Sequence, residues 1–377
     1  MVAEAVAGRA GPLAGRIAFV ALVVVALVAG VIGGLLRAGV AVPVPAQAAW
    51  PGQAVLSHAF LMMSAFMGTV IGLERAVAAK RVAAFAAPAA SAASGLLMLA
   101  GAAAPARWLG VLAALVFVFV NAALWARQRA VHTAWLLAGA LAWLVGNTLF
   151  ALGATVAVAT PWWFCFLILT IAAERLEMTR LMRRRRGASA LLLACLATLL
   201  VAAVAFVVAP AIGGVLFGVS LIALAAWLAT FDIARRTIAA QGLSRYMAIC
   251  LLTGYGWLAV SGLAWLATAL GHAARDVALH ALGLGFVFSM MLGHAPVILP
   301  ALTRVKVQFG WFFYLPLILL HVSLAVRLLL GGVDFRYLSW GAAGNAAAIV
   351  LFAATMAGAA WLWRRQHAPA HAAAARD

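Results

Sequence analysis

The sequence predicts an all-α, polytopic membrane protein of about twelve transmembrane helices with both termini in the cytoplasm. Three observations carry this reading. Of 377 residues, 68% are apolar and only 9% charged, against roughly a quarter charged in a soluble domain. Apolar runs long enough to cross about 30 Å of hydrocarbon recur from Arg16 to Trp363. The basic residues also segregate. Of 26 Lys and Arg, all but Arg37, Arg107, Arg275, Arg327 and Arg336 fall at the amino terminus, in the carboxyl-terminal tail or in loops after even-numbered runs. The net charge of +18 therefore orients the chain in a bilayer and does not mark a nucleic-acid partner.

In order, the runs cover about residues 17–41, 54–73, 82–104, 107–126, 131–156, 160–177, 188–209, 211–231, 247–270, 278–300, 311–331 and 338–363. The first comes after Arg9 and Arg16 as a signal peptide would, but Ile17 to Leu36 is long for an h-region and lacks a clear cleavage site. It reads as a retained helix. The second holds Gly68-Thr69-Val70-Ile71-Gly72, a GxxxG on the same helical face as His58, Leu61 and Ala65, whose shallow groove suits a neighbouring helix or a flat cofactor. The second and sixth end on Glu74-Arg75 and Glu174-Arg175, read as ion pairs capping helix ends. Cys165, Cys195 and Cys250 lie inside apolar runs without a Cys-x-x-Cys pair and read as packing residues. Asn121, Asn147 and Asn345 read as polar joints between helices. Short loops imply one bundle over residues 1–365, with 366–377 a disordered cytoplasmic tail.

The acidic residues Glu74, Glu174, Glu177, Asp232, Asp276 and Asp334 all fall at run ends or in loops, which argues against ion-coupled transport and proton pumping. Histidine is different: His58, His280, His294 and His321 lie within runs two, ten and eleven. Neutral imidazole ligates haem iron, copper or zinc. At α-helical spacing His280 and His294 share a face about 21 Å apart, too far for one ion but suited to two stacked centres. Gly283 lies one turn from His280 and leaves room for a porphyrin edge. Two groupings fit the depths: His58 with His280 at an outer haem and His294 with His321 deeper, or His58, His294 and His321 on one metal.

An outer-half histidine on helix two and another on helix ten resembles the way haem-copper oxidases and nitric oxide reductases hold their low-spin haem. The sequence has no histidine on helices six or seven, where that superfamily binds copper. In length, span count and texture it is similar to the NnrS family of haem- and copper-containing membrane proteins. The segments Ser57-His58-Ala59-Phe60-Leu61-Met62 and His280-Ala281-Leu282-Gly283-Leu284-Gly285, with Gly293-His294, look like its histidine segments. The resemblance implies b-type haem, with copper as a further cofactor, bound by His58, His280, His294 and His321. It also implies an electron donor at the outer surface, a diatomic gas such as nitric oxide as ligand, and location in a bacterial cytoplasmic (inner) membrane. The alternatives are a non-redox permease or channel, for which Pro296, Pro300, Pro316 and Gly254-Tyr255-Gly256 are broken-helix signals, and a membrane assembly partner.

Overall fold

A computed structural model describes residues 21–45, 47–178, 187–303 and 305–367. Among these the chain is helical and contains no strand. Eleven helices are long and apolar enough to cross a membrane, preceded by a shorter apolar helix, α1, Ala21–Arg37. The eleven are α2 (His58–Ala79), α3 (Val82–Leu99), α4 (Ala103–Arg127), α5 (Val131–Ala151), α6 (Val156–Met178) and α7 (Ala188–Val208), then α8 (Pro210–Phe231), α9 (Gly242–Ala269), α10 (Arg275–Pro300), α11 (Trp311–Leu330) and α12 (Phe335–Gln366). The chain is an all-α multi-pass membrane protein, and its helices match the expected runs in order. The expected start of the first run, the arginine loop 179–186 and the tail beyond residue 367 lie outside the described residues.

Hydrocarbon offers no hydrogen bonds, so each spanning segment must satisfy its backbone internally, and helices do so. The polar side chains obey the same rule: the hydroxyls of Thr69, Thr160, Thr170, Ser220 and Thr268 each donate to the carbonyl four residues back. Large apolar side chains such as Phe119, Val201, Ile212, Leu263 and Val350 point outward, as a lipid-facing surface requires. Four helices stop at glycines in the left-handed region, Gly39 after α1, Gly101 after α3, Gly153 after α5 and Gly271 after α9.

Three spans contain a π-helical segment, Leu61–Phe66 in α2, Ala281–Phe288 in α10 and Val326–Leu330 in α11. A wide turn of this kind releases carbonyls from the regular ladder. In α2 the hydroxyl of Ser91 on α3 donates to the Ser64 carbonyl oxygen at 2.9 Å.

The chain forms two compact units. One comprises Met1–Trp227 with Gly262–Arg275, the other Leu228–Ser261 with Asp276–Asp377. In the first, α3 packs on α4, α4 on α5 and α5 on α6. Trp143 stacks on Phe166 with ring centroids 4.9 Å apart, and Phe117 meets both rings edge-on. At the buried centre the Asn147 Oδ1 accepts from Ser64 Oγ at 3.1 Å and Trp163 Nε1 at 2.9 Å, while its Nδ2 donates to the Gly110 carbonyl at 2.8 Å. Trp143 Nε1 donates to Ser64 Oγ, so five residues from four helices form one satisfied network. Gly218 of α8 and Gly262 of α9 approach so closely that a Cβ on either would meet the other's carbonyl oxygen, at 2.6 and 2.7 Å.

In the second unit α11 packs on α12, and Asn345 Nδ2 donates to Ser323 Oγ at 2.7 Å to join them. Ala281, Leu324 and Leu328 form a core against Trp257, Val260, Val277 and Leu284. The three cysteines are buried and unbridged.

Candidate functional site

The four intramembrane histidines are held in two different ways. His58, near the start of α2, directs Nδ1 to the carbonyl oxygen of Gly30 on α1 at 2.7 Å. Its ring packs close to that helix because Gly34 lacks a side chain: a Cβ there would sit 2.7 Å from His58 Cε1. The groove beneath is occupied by protein. A Cβ on Gly68 would strike Trp143 and lie 2.8 Å from Ser91 Oγ, and one on Gly72 would lie 3.3 Å from Pro88. The GxxxG of α2 therefore seats α3 and Trp143, which is the helix-packing use of the motif.

His280 opens α10 beside Asp276, one turn earlier. Its Nδ1 lies 2.9 Å from Asp276 Oδ1 and 3.1 Å from the Asp276 carbonyl oxygen. Arg327, in the wide turn of α11, clamps the same carboxylate through Nε at 3.1 Å and Nη2 at 2.9 Å, and Nη2 also reaches His280 Nε2 at 3.1 Å. The Asp276 carboxylate and carbonyl oxygens only accept, so Nδ1 carries the proton toward them, while Arg327 Nη2 lies near both ring nitrogens, 3.3 Å from Nδ1 and 3.1 Å from Nε2. The clamp needs Gly341 on α12, where a Cβ would lie 2.6 Å from the Arg327 Cα. Across Gly283 the surroundings are open, with no atom within 4 Å of an added Cβ.

His294 bonds along its own helix, Nδ1 to the Met290 carbonyl oxygen at 2.6 Å. The shared face expected for His280 and His294 does not survive the structure, because the wide turn Ala281–Phe288 lies between them. A wide turn holds one residue beyond the α repeat and rotates the helix after it by about 100°.

His321 on α11 is held in the opposite sense. Trp257 Nε1 of α9 donates to its Nδ1 at 2.9 Å, so Nε2 carries the proton, within reach of Thr253 Oγ1 at 3.2 Å and Ser289 Oγ at 3.3 Å. Tryptophan and imidazole planes are nearly parallel, at 10°.

Sequence reasoning missed the partners. Asp276 carried a usable signal, since it stands four residues before His280 at the spacing of helical neighbours. Trp257, Thr253 and Ser289 carried none. Among the described residues no three His, Cys, Asp or Glu side chains come together as a metal site. The two Glu-Arg dipeptides, which the sequence left as separate caps, meet in the first unit: Arg75 Nη2 donates to Glu174 Oε1 at 2.6 Å and to Glu74 Oε1 at 3.1 Å. His132 Nε2 lies 3.9 Å from Glu177 in the same unit.

Residues 16–361 match the family profile described as a domain of unknown function, DUF8744. No curated protein and no solved structure matches the chain.

Proposed function

We propose that this chain, which belongs to the DUF8744 family, is a haem-binding protein of a bacterial inner membrane, similar in kind to the NnrS proteins. The observation that supports this most is the tautomer of three histidines. His58, His280 and His294 each commit Nδ1 to an oxygen, of Gly30, Asp276 and Met290 respectively. The neutral ring then keeps its lone pair on Nε2, the form that ligates iron, and ligating histidines are commonly oriented by such an outer bond. His321, with Nδ1 accepting and Nε2 protonated, is not in that form and is not proposed as a ligand. The open space at Gly283 fits a flat group beside His280. Ligation there would displace Arg327 Nη2 from Nε2, leaving the guanidinium paired with the Asp276 carboxylate beside the group.

Bound haem supplies one-electron exchange and a position for a diatomic gas such as nitric oxide or dioxygen. The chain's residues fix the imidazole tautomers. The segregation of basic residues argues for both termini in the cytoplasm, and in that orientation the start of α10, with His280, Asp276 and Arg327, faces an electron donor outside. Copper has no converging set of donors among the described residues, so haem alone is proposed.

The test is the absorption spectrum and haem content of protein purified from haem-replete cells. A Soret band that weakens in His58→Ala, His280→Ala or His294→Ala supports the reading. A colourless protein overturns it and favours a permease, for which Pro296 and Pro300 inside α10 are the structural footing.

A further inference from the structure

We infer that His321, oriented by Trp257, forms a binding site for the headgroup of a membrane-soluble quinone, with the Thr253 hydroxyl holding the imidazole N–H until the quinone arrives. The site needs no haem, and one proton defines it. Because Trp257 donates to Nδ1, His321 presents an Nε2–H, whose acceptors among the described residues are two hydroxyl oxygens at 3.2 and 3.3 Å. An N–H split between two acceptors at such lengths is weakly held. The Thr253 hydroxyl, for its part, spends its own proton on the Ile249 carbonyl at 2.8 Å. A better acceptor brought to this place takes the imidazole proton without breaking any short bond.

The place is accessible. Thr253 and Gly256 are exposed along one side of α9, and an added Cβ on Gly256 would meet nothing within 4 Å. The neighbouring side chains on α11, Ile318 and Val322, are exposed and apolar. A polar pair at the surface of a membrane span is costly against hydrocarbon alone, and such groups mark functional positions.

The chemistry restricts the occupant. Thr253, Trp257, Ser289 and His321 carry no carboxylate or fixed cation, which disfavours charged lipid headgroups. The site offers a donor N–H beside two nearly parallel aromatic planes. It calls for a neutral, flat ring carrying carbonyl acceptors and an apolar tail able to arrive through the bilayer, which is a quinone.

The experiment is equilibrium uptake of decylubiquinone by the full chain in phosphatidylcholine nanodiscs, against discs without protein. Saturable uptake is expected, about tenfold weaker in His321→Phe, which keeps the ring and removes the donor. Thr253→Val, at an exposed position, removes a competing acceptor and should tighten binding about threefold. Uptake no greater than that of empty discs overturns the proposal, as does unchanged affinity in His321→Phe. Weaker or unchanged binding in Thr253→Val overturns it even where His321→Phe does not fold. So does a parent dimer that dissociates in His321→Phe, which would make a second copy the occupant.

Discussion

Asn147 and Asn121 are indistinguishable in sequence, each a lone amide inside an apolar run, yet the structure predicts opposite responses to leucine. Asn147 is 1% exposed and makes three bonds to other helices. Replacing it with Leu leaves the Trp163 N–H, in a fully buried ring, without an acceptor. That orphaned donor costs about 1–3 kcal/mol. The bonds to Ser64 and Gly110 add roughly 0.6 kcal/mol each, the average for interhelical bonds in membranes. The total is about 2–4 kcal/mol. Asn121 is equally buried, but its Nδ2 bonds only its own helix, to the Phe117 carbonyl, and its Oδ1 has no partner among the described residues. Leu there removes a buried unsatisfied acceptor and should be neutral or stabilising by up to about 1 kcal/mol. Thermal unfolding in detergent, followed by a thiol-reactive dye, reads both, because the three buried cysteines become reactive only on unfolding. Asn147→Leu should melt several degrees below the parent and Asn121→Leu at or above it. Equal losses in the two variants would refute the reasoning.

Reporter fusions at Gly187 and Gly271 should report opposite sides of the membrane, with Gly187 cytoplasmic; the same side for both would overturn the orientation. Arg75→Ala removes the cation that Glu74 and Glu174 share and should cost about 1–2 kcal/mol, since both carboxylates are partly exposed, with much of the loss recovered in the double variant with Glu174→Gln, measured by the same melting assay. Gly34→Ala drives a methyl into the His58 ring and should destabilise by about 1–3 kcal/mol, whereas Gly256→Ala, which meets nothing inside α9, should be neutral or stabilise by up to about 1 kcal/mol in the same melts.

The spans were legible because a bilayer imposes a length and a composition on every crossing, and the runs 131–156 and 188–209 became α5 and α7 with little change. The role of the Gly68–Gly72 face was half legible: small residues announce a close approach, but only the fold shows that Trp143 and Pro88 make it. The histidines could be picked out by rarity. Their tautomers could not, since these depend on a carbonyl of Gly30 from another helix and on a tryptophan 64 residues from His321. The relation between His280 and His294 was misread for a local reason: α-periodicity was carried through a segment whose hydrogen bonds run to a wider turn.

That wide turn amounts to an inserted residue. Deleting a single residue between Ala281 and Phe288 would return α10 to a plain repeat and carry His294 about 100° around the helix, with almost no change in composition. Family members that lack the feature should show a one-residue gap at this place. Such gaps in α2, α10 and α11 would then record, across the family, which chains aim their histidines as this one does.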